Sequence, residues 1–209
     1  MRKNFITFLL LIITMVGLLQ AQTNDYYYYR DQAILLSVVP DQIAVRFEQT
    51  LALQRTRGII DSILAGRLQD ISELYGKNSF LLKYNGNGDL LLLESLLTSF
   101  YTVPDVKAAS KVYRSSYVNG QQIVLDEFIT RFRDGISRQD IQSFNKVNGV
   151  TIKKKLNATT YLLAVEPFAQ LTALQAANLY HDSGLTVWAA PNFIYPGGVL
   201  FDATVNDPF

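Results

Sequence analysis

Few residues of the chain combine the types and the spacing that acid–base or nucleophilic chemistry requires. The only histidine, His181, lies in the segment LYHDSGL beside Asp182 and Ser183. A base, a carboxylate and a hydroxyl are the parts of a hydrolytic triad, but three consecutive residues of a tight turn cannot hold these groups in line. A histidine in the last turn of a helix is stabilised by the negative end of the helix dipole. We therefore interpret His181 as a helix-terminal residue and predict no catalytic residue and no metal site around it.

Two other segments have the composition of anion-binding sites. The segment NGNGD at 85–89 precedes an apolar run, and the beginning of a helix attracts phosphate groups. The segment lacks the spacing and the lysine of a phosphate-binding loop, and Asn-Gly pairs are ordinary turn residues. The three lysines at 153–155 lie within a pattern typical of a strand, which favours a solvated face. We predict a turn and an exposed strand here, and no cofactor.

The charge balance argues against nucleic acid as a partner. The 209 residues carry 19 basic and 18 acidic side chains, a formal net charge of +1. This balance creates no field that could hold a nucleic-acid backbone or an anionic membrane. With 49% hydrophobic residues the chain can build a packed core, and without cysteine it does so without disulfides. A partner would therefore be recognised by shape and local contacts.

The N-terminal residues have the layout of an export signal. Two cations precede a long apolar run, and Ala21 follows as a small residue at a suitable cleavage position. This order is typical of a secretory signal peptide over residues 1–21. A retained membrane anchor is the alternative, although the apolar run is short for a bilayer span. We expect the chain to leave the membrane after signal removal and to be secreted, periplasmic or extracellular.

The chain contains an internal repeat, a property that sets the whole architecture when it is present. Phe47 and Phe132, each preceded by arginine, end similar segments and are 85 positions apart. The segments VKAASKVYR and VWAAPNFIY begin at Val106 and Val187, a spacing of 81. Two matches at nearly one period indicate a duplicated unit.

The second copy of the repeat predicts six elements in a fixed order. The alternating segment EFITRFR is a strand, and Ser137 is the N-cap of a short helix with an inward stripe of Ile141, Phe144 and Val147. The segments VTIKKKL and YLLAVE then form a hairpin, with Ile152 and Leu156 of its first strand on the buried face. Pro167 suits the first turn of a second helix through about Tyr180, and LTVWAAPNFIY supplies a last strand.

The first copy follows the same order more loosely. It predicts strands around 42–48, 68–75, 79–84 and 106–113, with helices at about 51–65 and 89–100. Strand, helix, strand, strand, helix, strand is the order of a ferredoxin-like unit. The predicted fold class is therefore α+β, with two tandem ferredoxin-like (βαββαβ) units built on antiparallel sheets. We divide the chain into a first unit at 22–116, whose tyrosine run at 26–29 is an edge strand, and a second unit at 117–195.

The second unit resembles the N-terminal prodomain of secreted subtilisin-like serine proteases, particularly the fervidolysin-like type. The segment from DEFITRFRDG to YLLAVEP carries the resemblance, together with LYHDSGLTVWAAPNFIYP. Its final strand has the form small-Pro-Asn-aromatic-x-Tyr. The likeness extends over residues 125–209 and reaches the first unit only through the internal repeat. Residues 196–209 would then be a linker and the opening of a protease domain.

The resemblance implies an intramolecular chaperone and temporary inhibitor whose partner is a subtilisin-like catalytic domain. In this class the sheet packs on the protease, and the C-terminal tail lies in the substrate cleft like a cleaved product. Residue by residue, the tail that binds the cleft corresponds to Pro191, Asn192, Phe193, Ile194 and Tyr195. The bond Tyr195-Pro196 is a poor cleavage site because proline supplies no N–H. Processing is expected within 197–205, around Gly197, Gly198, Val199, Leu200 and Phe201.

Catalytic residues do not carry over, because no His-Gly-Thr or Gly-Thr-Ser-Met segment is present. The resemblance therefore predicts a non-catalytic chain, either the front part of a zymogen or a partner that acts in trans. An exported binding or structural module that uses the tyrosine run as a ligand platform is the alternative. A small hydrolase that uses His181 is the least favoured hypothesis.

Overall fold

The computed structural model describes residues 25–49, 51–74, 78–167, 169 and 171–196. The predicted signal peptide with Ala21 and the predicted processing region at 197–201 lie outside the described residues.

The first unit is a sheet of four strands with two helices, extended by one short strand at the β5 edge and by another that pairs with β2. Its strands lie in the order β3-β4-β2-β5, and every neighbouring pair is antiparallel. A tyrosine-rich strand, β1, pairs with the first part of β2, and β6 pairs with β5. The elements are β1 (Tyr26–Tyr29), β2 (Gln32–Phe47), α1 (Leu53–Leu64), β3 (Leu68–Glu73), β4 (Ser79–Tyr84), α2 (Leu90–Tyr101), β5 (Val106–Ser115) and β6 (Gln121–Ile123).

The second unit repeats this arrangement. Its strands lie in the order β10-β7-β9-β8, again with antiparallel neighbours. The elements are β7 (Glu127–Phe132), α3 (Arg138–Val147), β8 (Val150–Lys155), β9 (Thr160–Val165), α4 (Ala173–Asp182) and β10 (Thr186–Pro191). In both units the last strand lies beside the first, which is the ferredoxin-like order. The structure thus confirms the predicted fold class of two tandem units.

The sequence matches of the internal repeat fall on equivalent strands of the two units. Phe47 ends β2 and Phe132 ends β7, the first strand of each four-stranded sheet. Val106 begins β5 and Val187 lies at the start of β10, the last strand of each. The spacing seen in the sequence is therefore the length of one folded unit.

Polar caps set the helix starts. Asp89 accepts hydrogen bonds from the N–H groups of Leu91 and Leu92, and Ser137 accepts one from the N–H of Asp140. The prediction that α4 begins at Pro167 is wrong. Thr172 is its N-cap and forms a capping box with Gln175, so the helix begins at Ala173. Pro167 lies in the turn before it.

The structure also corrects two predicted buried faces, those of α3 and of β8. Val147 is 84% exposed, and the buried polar residue of α3 is Asn145, whose Oδ1 accepts a hydrogen bond of 2.7 Å from the Tyr180 hydroxyl. Ile152 and Leu156 are each 39% exposed because β8 is the edge strand of its sheet. The three lysines of β8 are exposed as predicted.

Hydrophobic clusters reach across the boundary between the two units, and Val38 packs against the main cluster of each. The helices of the first unit cover one face of its sheet, and the opposite face is covered by Ile123 and Leu125 with Ile194 packed against them. The core of the second unit includes Tyr27 and Leu36 from the N-terminal strands. The predicted division at 116/117 falls in the β5–β6 loop, and β6 pairs with the first sheet.

Candidate functional site

The C-terminal segment, residues 191–195, continues directly from the last strand of the second sheet. Pro191 ends β10 opposite Phe128 of β7. The Asn192 N–H donates to the carbonyl of Glu127 at 3.1 Å, and its side-chain Nδ2 donates to Glu127 Oε2 at 3.1 Å. Asn192 thus extends the pairing of β10 with β7 by one residue and fixes the direction in which the chain leaves the sheet.

The next residues of this segment cross to the first unit. The Ile194 N–H donates to the carbonyl of Ile123 at 2.8 Å, and the Ile123 N–H donates back to Ile194 at 2.9 Å. Phe193 makes an edge contact with Tyr27, with 4.9 Å between ring centroids. Burial raises the pKa of Tyr195, and a hydrogen bond with Gln122 opposes this rise. The five predicted tail residues are therefore all held in place: Pro191 and Asn192 by β7 of the second unit, and residues 193–195 by contacts with the first unit.

The second sheet has a face without helices, which we call the open face. Ile129, Leu162 and Ala190 form one row across β7, β9 and β10, and Lys154 of β8 continues the row. Trp188 lies beside Arg131 in the neighbouring row. These residues alternate with core residues along their strands, and the apolar ones are half-buried. The open face thus combines an apolar middle with cationic side chains, next to the strand that leads into the C-terminal segment.

A cluster of ion pairs joins the two units at the beginning of β7. Asp126, with a side chain only 2% exposed, pairs with Arg46 of β2 and with Lys107 of β5, whose Nζ lies 3.5 Å from Asp126 Oδ2. Glu127 pairs with the same arginine at 3.2 Å and with Lys153 at 3.8 Å. We call these five residues the seam cluster. Its side chains come from both sheets.

The tyrosine run and His181 belong to another contact between the units. Tyr28 stacks on the His181 ring, with 3.7 Å between centroids, and the two ring nitrogens lie 3.0 Å from Asp31 and 3.1 Å from Asp182. The carbonyl of Tyr26 accepts a hydrogen bond from Asn178 of α4. Tyr26 and Tyr28 therefore dock the N-terminal hairpin onto α4, whereas Tyr29 is exposed and contacts Tyr117. The use of the tyrosine run as a ligand platform stays a prediction.

Residues that suggested other chemistry occupy structural positions. His181 lies in the last turn of α4, as predicted. The Ser183 hydroxyl donates to the carbonyl of Tyr180 and not to the histidine. In the 85–89 segment, Asn87 and Gly88 have φ of 51° and 75°, and the Gly88 N–H donates to Asp41. This is the predicted turn.

The described ranges contain neither a cluster suited to a metal ion nor a helix suited to span a membrane. No group of three or more histidine, cysteine, aspartate or glutamate side chains there is arranged to hold a metal ion. No helix in the same part of the chain has the length and apolar character to cross a membrane.

Sequence reasoning missed the seam cluster. Arg46 and Asp126 are 80 positions apart, and local patterns carry no information about such a pairing. The one available signal was the pair of consecutive acidic residues, Asp126 and Glu127, at the start of β7, a strand in which apolar residues alternate with polar ones. An acidic pair at that place suggests a cationic partner, because an unpaired carboxylate is costly to bury.

Comparisons with known proteins do not assign the chain to a family. No protein-family model matches the chain, and no curated protein matches it. Among solved structures, the chain is similar to aspartokinase III of E. coli in complex with lysine and aspartate in the T-state. The sequences are 14% identical, the TM-score is 0.26, and the alignment covers 76% of this chain and 35% of that enzyme chain. The chain thus spans about a third of that enzyme's length, and a likeness this weak carries no argument.

Proposed function

We propose that the chain is the prodomain of a secreted subtilisin-like serine protease, and that it acts as an intramolecular chaperone and temporary inhibitor. The observation that carries the proposal is the open face of the second sheet, which leads through β10 into the C-terminal segment. The resemblance of the second unit to such prodomains supports it. The partner is a subtilisin-like catalytic domain, in cis or in trans.

The open face has the composition of a docking surface for that domain. Its apolar row of Ala190, Ile129 and Leu162 is half-buried, so contact with a partner would remove further apolar area from water. Such burial contributes about 25 cal/mol per Å². Arg131 and Lys154, at the margins of the row, would set the register against acidic groups of the partner.

The contacts of the C-terminal segment refine which residues would enter the substrate cleft. The main chain of Ile194 is bonded to Ile123, so a peptide that pairs with the edge of the protease sheet would begin after Tyr195. Residues 192–195 would then hold the tail in position. A tail presented in a fixed direction loses little conformational entropy on binding, which favours affinity.

The proposal is tested with the chain after signal removal, assayed against a panel of secreted subtilisin-like proteases. We expect slow, tight inhibition, measured from progress curves. Leu162→Glu places a charge in the middle of the open face and should raise the inhibition constant by about tenfold or more, equivalent to about 1.4 kcal/mol.

The matched control is Leu91→Glu, the same substitution at a residue of α2 that is 82% exposed. It should inhibit like the parent chain, and circular dichroism should show that both variants are folded. Absence of inhibition across the panel would exclude the proposed activity. Equal effects of the two substitutions would show that the open face is not the docking surface.

A further inference from the structure

A cleft with a volume of about 350 Å³ lies between the two units, beside the seam cluster. The first unit contributes the end of α2 and the beginning of β5. The second unit contributes the segment before β7, the end of β9 and the first turn of α4. The polar side chains of its lining are Tyr101, Lys107, Asp126, Glu166, Thr172 and Gln175.

Asp126 gives this cleft an unsatisfied acceptor. Its side chain is 2% exposed, and its Oδ1 is taken by Arg46. Its Oδ2 is buried and has no hydrogen-bond partner in the described part of the chain, although Lys107 Nζ lies 3.5 Å away as an ion-pair partner. A buried acceptor without a hydrogen bond carries a desolvation cost that nothing offsets, and this cost is larger when the group is charged. A ligand N–H that reached this oxygen would remove the cost.

The other lining groups favour a cation with a short apolar body. Glu166 adds a second carboxylate, whose Oε1 accepts a hydrogen bond of 2.7 Å from Thr151. Lys107 is the one cationic side chain of the lining, beside the two carboxylates of Asp126 and Glu166, and Arg46 pairs with Asp126 from outside the lining. The remaining wall is apolar and includes Leu125, Val165 and Ala169, so it suits methylene groups rather than water.

We infer that the cleft binds a small aliphatic primary amine in its ammonium form, with an N–H donating to Asp126 Oδ2 and the alkyl chain against the apolar wall. Its volume is at the lower end of the range of small-molecule sites, about 300–1,000 Å³, which suits a small ligand. This inference is independent of the proposed protease partner. The ligand would bridge both units and stabilise their arrangement, since binding to the folded state alone raises stability.

The test is a titration of the isotopically labelled chain with butylamine, which is protonated at neutral pH, followed by amide chemical shifts. Butyrate has a similar length and the opposite charge, and it serves as the matched probe at equal ionic strength. We expect saturable shifts with butylamine, confined to amides around Val165, Ala169 and Ala173. Butyrate should leave these amides unchanged. Equal responses to both probes, or no saturable response to butylamine, would overturn the inference.

Two variants locate the site. Ala169→Phe fills the cleft while leaving the residues of the seam cluster unsubstituted, and it should weaken butylamine binding at least about tenfold. Ala158→Phe, at the exposed tip of the β8–β9 hairpin, is the matched control and should bind like the parent chain. Asp126→Asn should also weaken binding where it remains folded. Undiminished binding by Ala169→Phe would show that the amine binds elsewhere.

Discussion

At the scale of single residues, buried tyrosine hydroxyls are a recurrent feature of this core. The Tyr84 ring is 1% exposed, and its hydroxyl donates a hydrogen bond of 2.5 Å to the carbonyl of Pro40. Burial raises the pKa of Tyr84 to about 12, with Asp41 and Asp89 adding to the rise. Burial also raises the pKa of Tyr180, whose hydroxyl donates to Asn145. These groups are held in their neutral form by the folded state.

The decrease in the free energy of unfolding at alkaline pH should therefore depend on Tyr84. A tyrosine with a raised pKa stabilises the fold fully below its unfolded pKa of 10, and this contribution is lost as the pH rises from 10 through about 12. Tyr84→Phe should lower the free energy of unfolding at pH 7 by about 1 kcal/mol through the lost hydrogen bond. Above pH 10, the free energy of unfolding of this variant should decrease less steeply than that of the parent chain. Urea unfolding followed by Trp188 fluorescence measures both, and an unchanged alkaline slope would contradict the assignment.

At the scale of elements, the start of α4 shows how two sequence signals compete. Proline is favoured in the first helical turn, which made Pro167 a reasonable start. The structure uses the pair Thr172 and Gln175, whose side chains satisfy each other's backbone N–H groups at the true N-terminus. A reciprocal cap satisfies two donors, whereas proline only avoids presenting one. The later start is therefore the stable one.

Thr172→Ala should destabilise the chain by about 1 kcal/mol, because it removes the capping hydroxyl of α4. Pro167→Ala is the comparison, and its effect should be smaller since this residue is exposed and lies before the helix. Thermal unfolding of both variants measures the difference. A larger loss in Pro167→Ala than in Thr172→Ala would place the helix start upstream again.

Local patterns predicted most elements and caps but not the contacts between elements. The bounds of β4 and the N-caps Asp89 and Ser137 follow from alternation and capping, which act over a few residues. The inward position of Asn145 depends on the Tyr180 hydroxyl, 35 positions away, which needs a buried acceptor. The sequence also placed residues 191–195 at the end of the last strand. It could not show that Ile194 pairs with Ile123, because strand pairing across 71 positions has no local pattern.

At the scale of the whole molecule, three contacts make the two units one folding unit. The N-terminal hairpin packs on α4, the C-terminal segment pairs with β6, and the seam cluster joins the two sheets. Each contact contains a partly or fully buried group that would be exposed or unpaired if the units separated. The duplicated fold is therefore expected to unfold as a single cooperative system, unlike two domains joined by a linker.

Arg46→Met tests this coupling, because it leaves the buried Asp126 with Lys107 as its remaining ion-pair partner. Breaking a buried pair is strongly destabilising, and we expect a loss of about 2–3 kcal/mol. Arg55→Met is the matched control, since Arg55 is 63% exposed in its pair with Asp105 and such pairs contribute about 0–1 kcal/mol. Trp188 fluorescence reports the second unit, and amide exchange in β4 and β5 reports the first. Both probes should show the same lowered stability in Arg46→Met, because the contacts between the units couple their unfolding; a loss confined to one probe would mean that the units unfold independently.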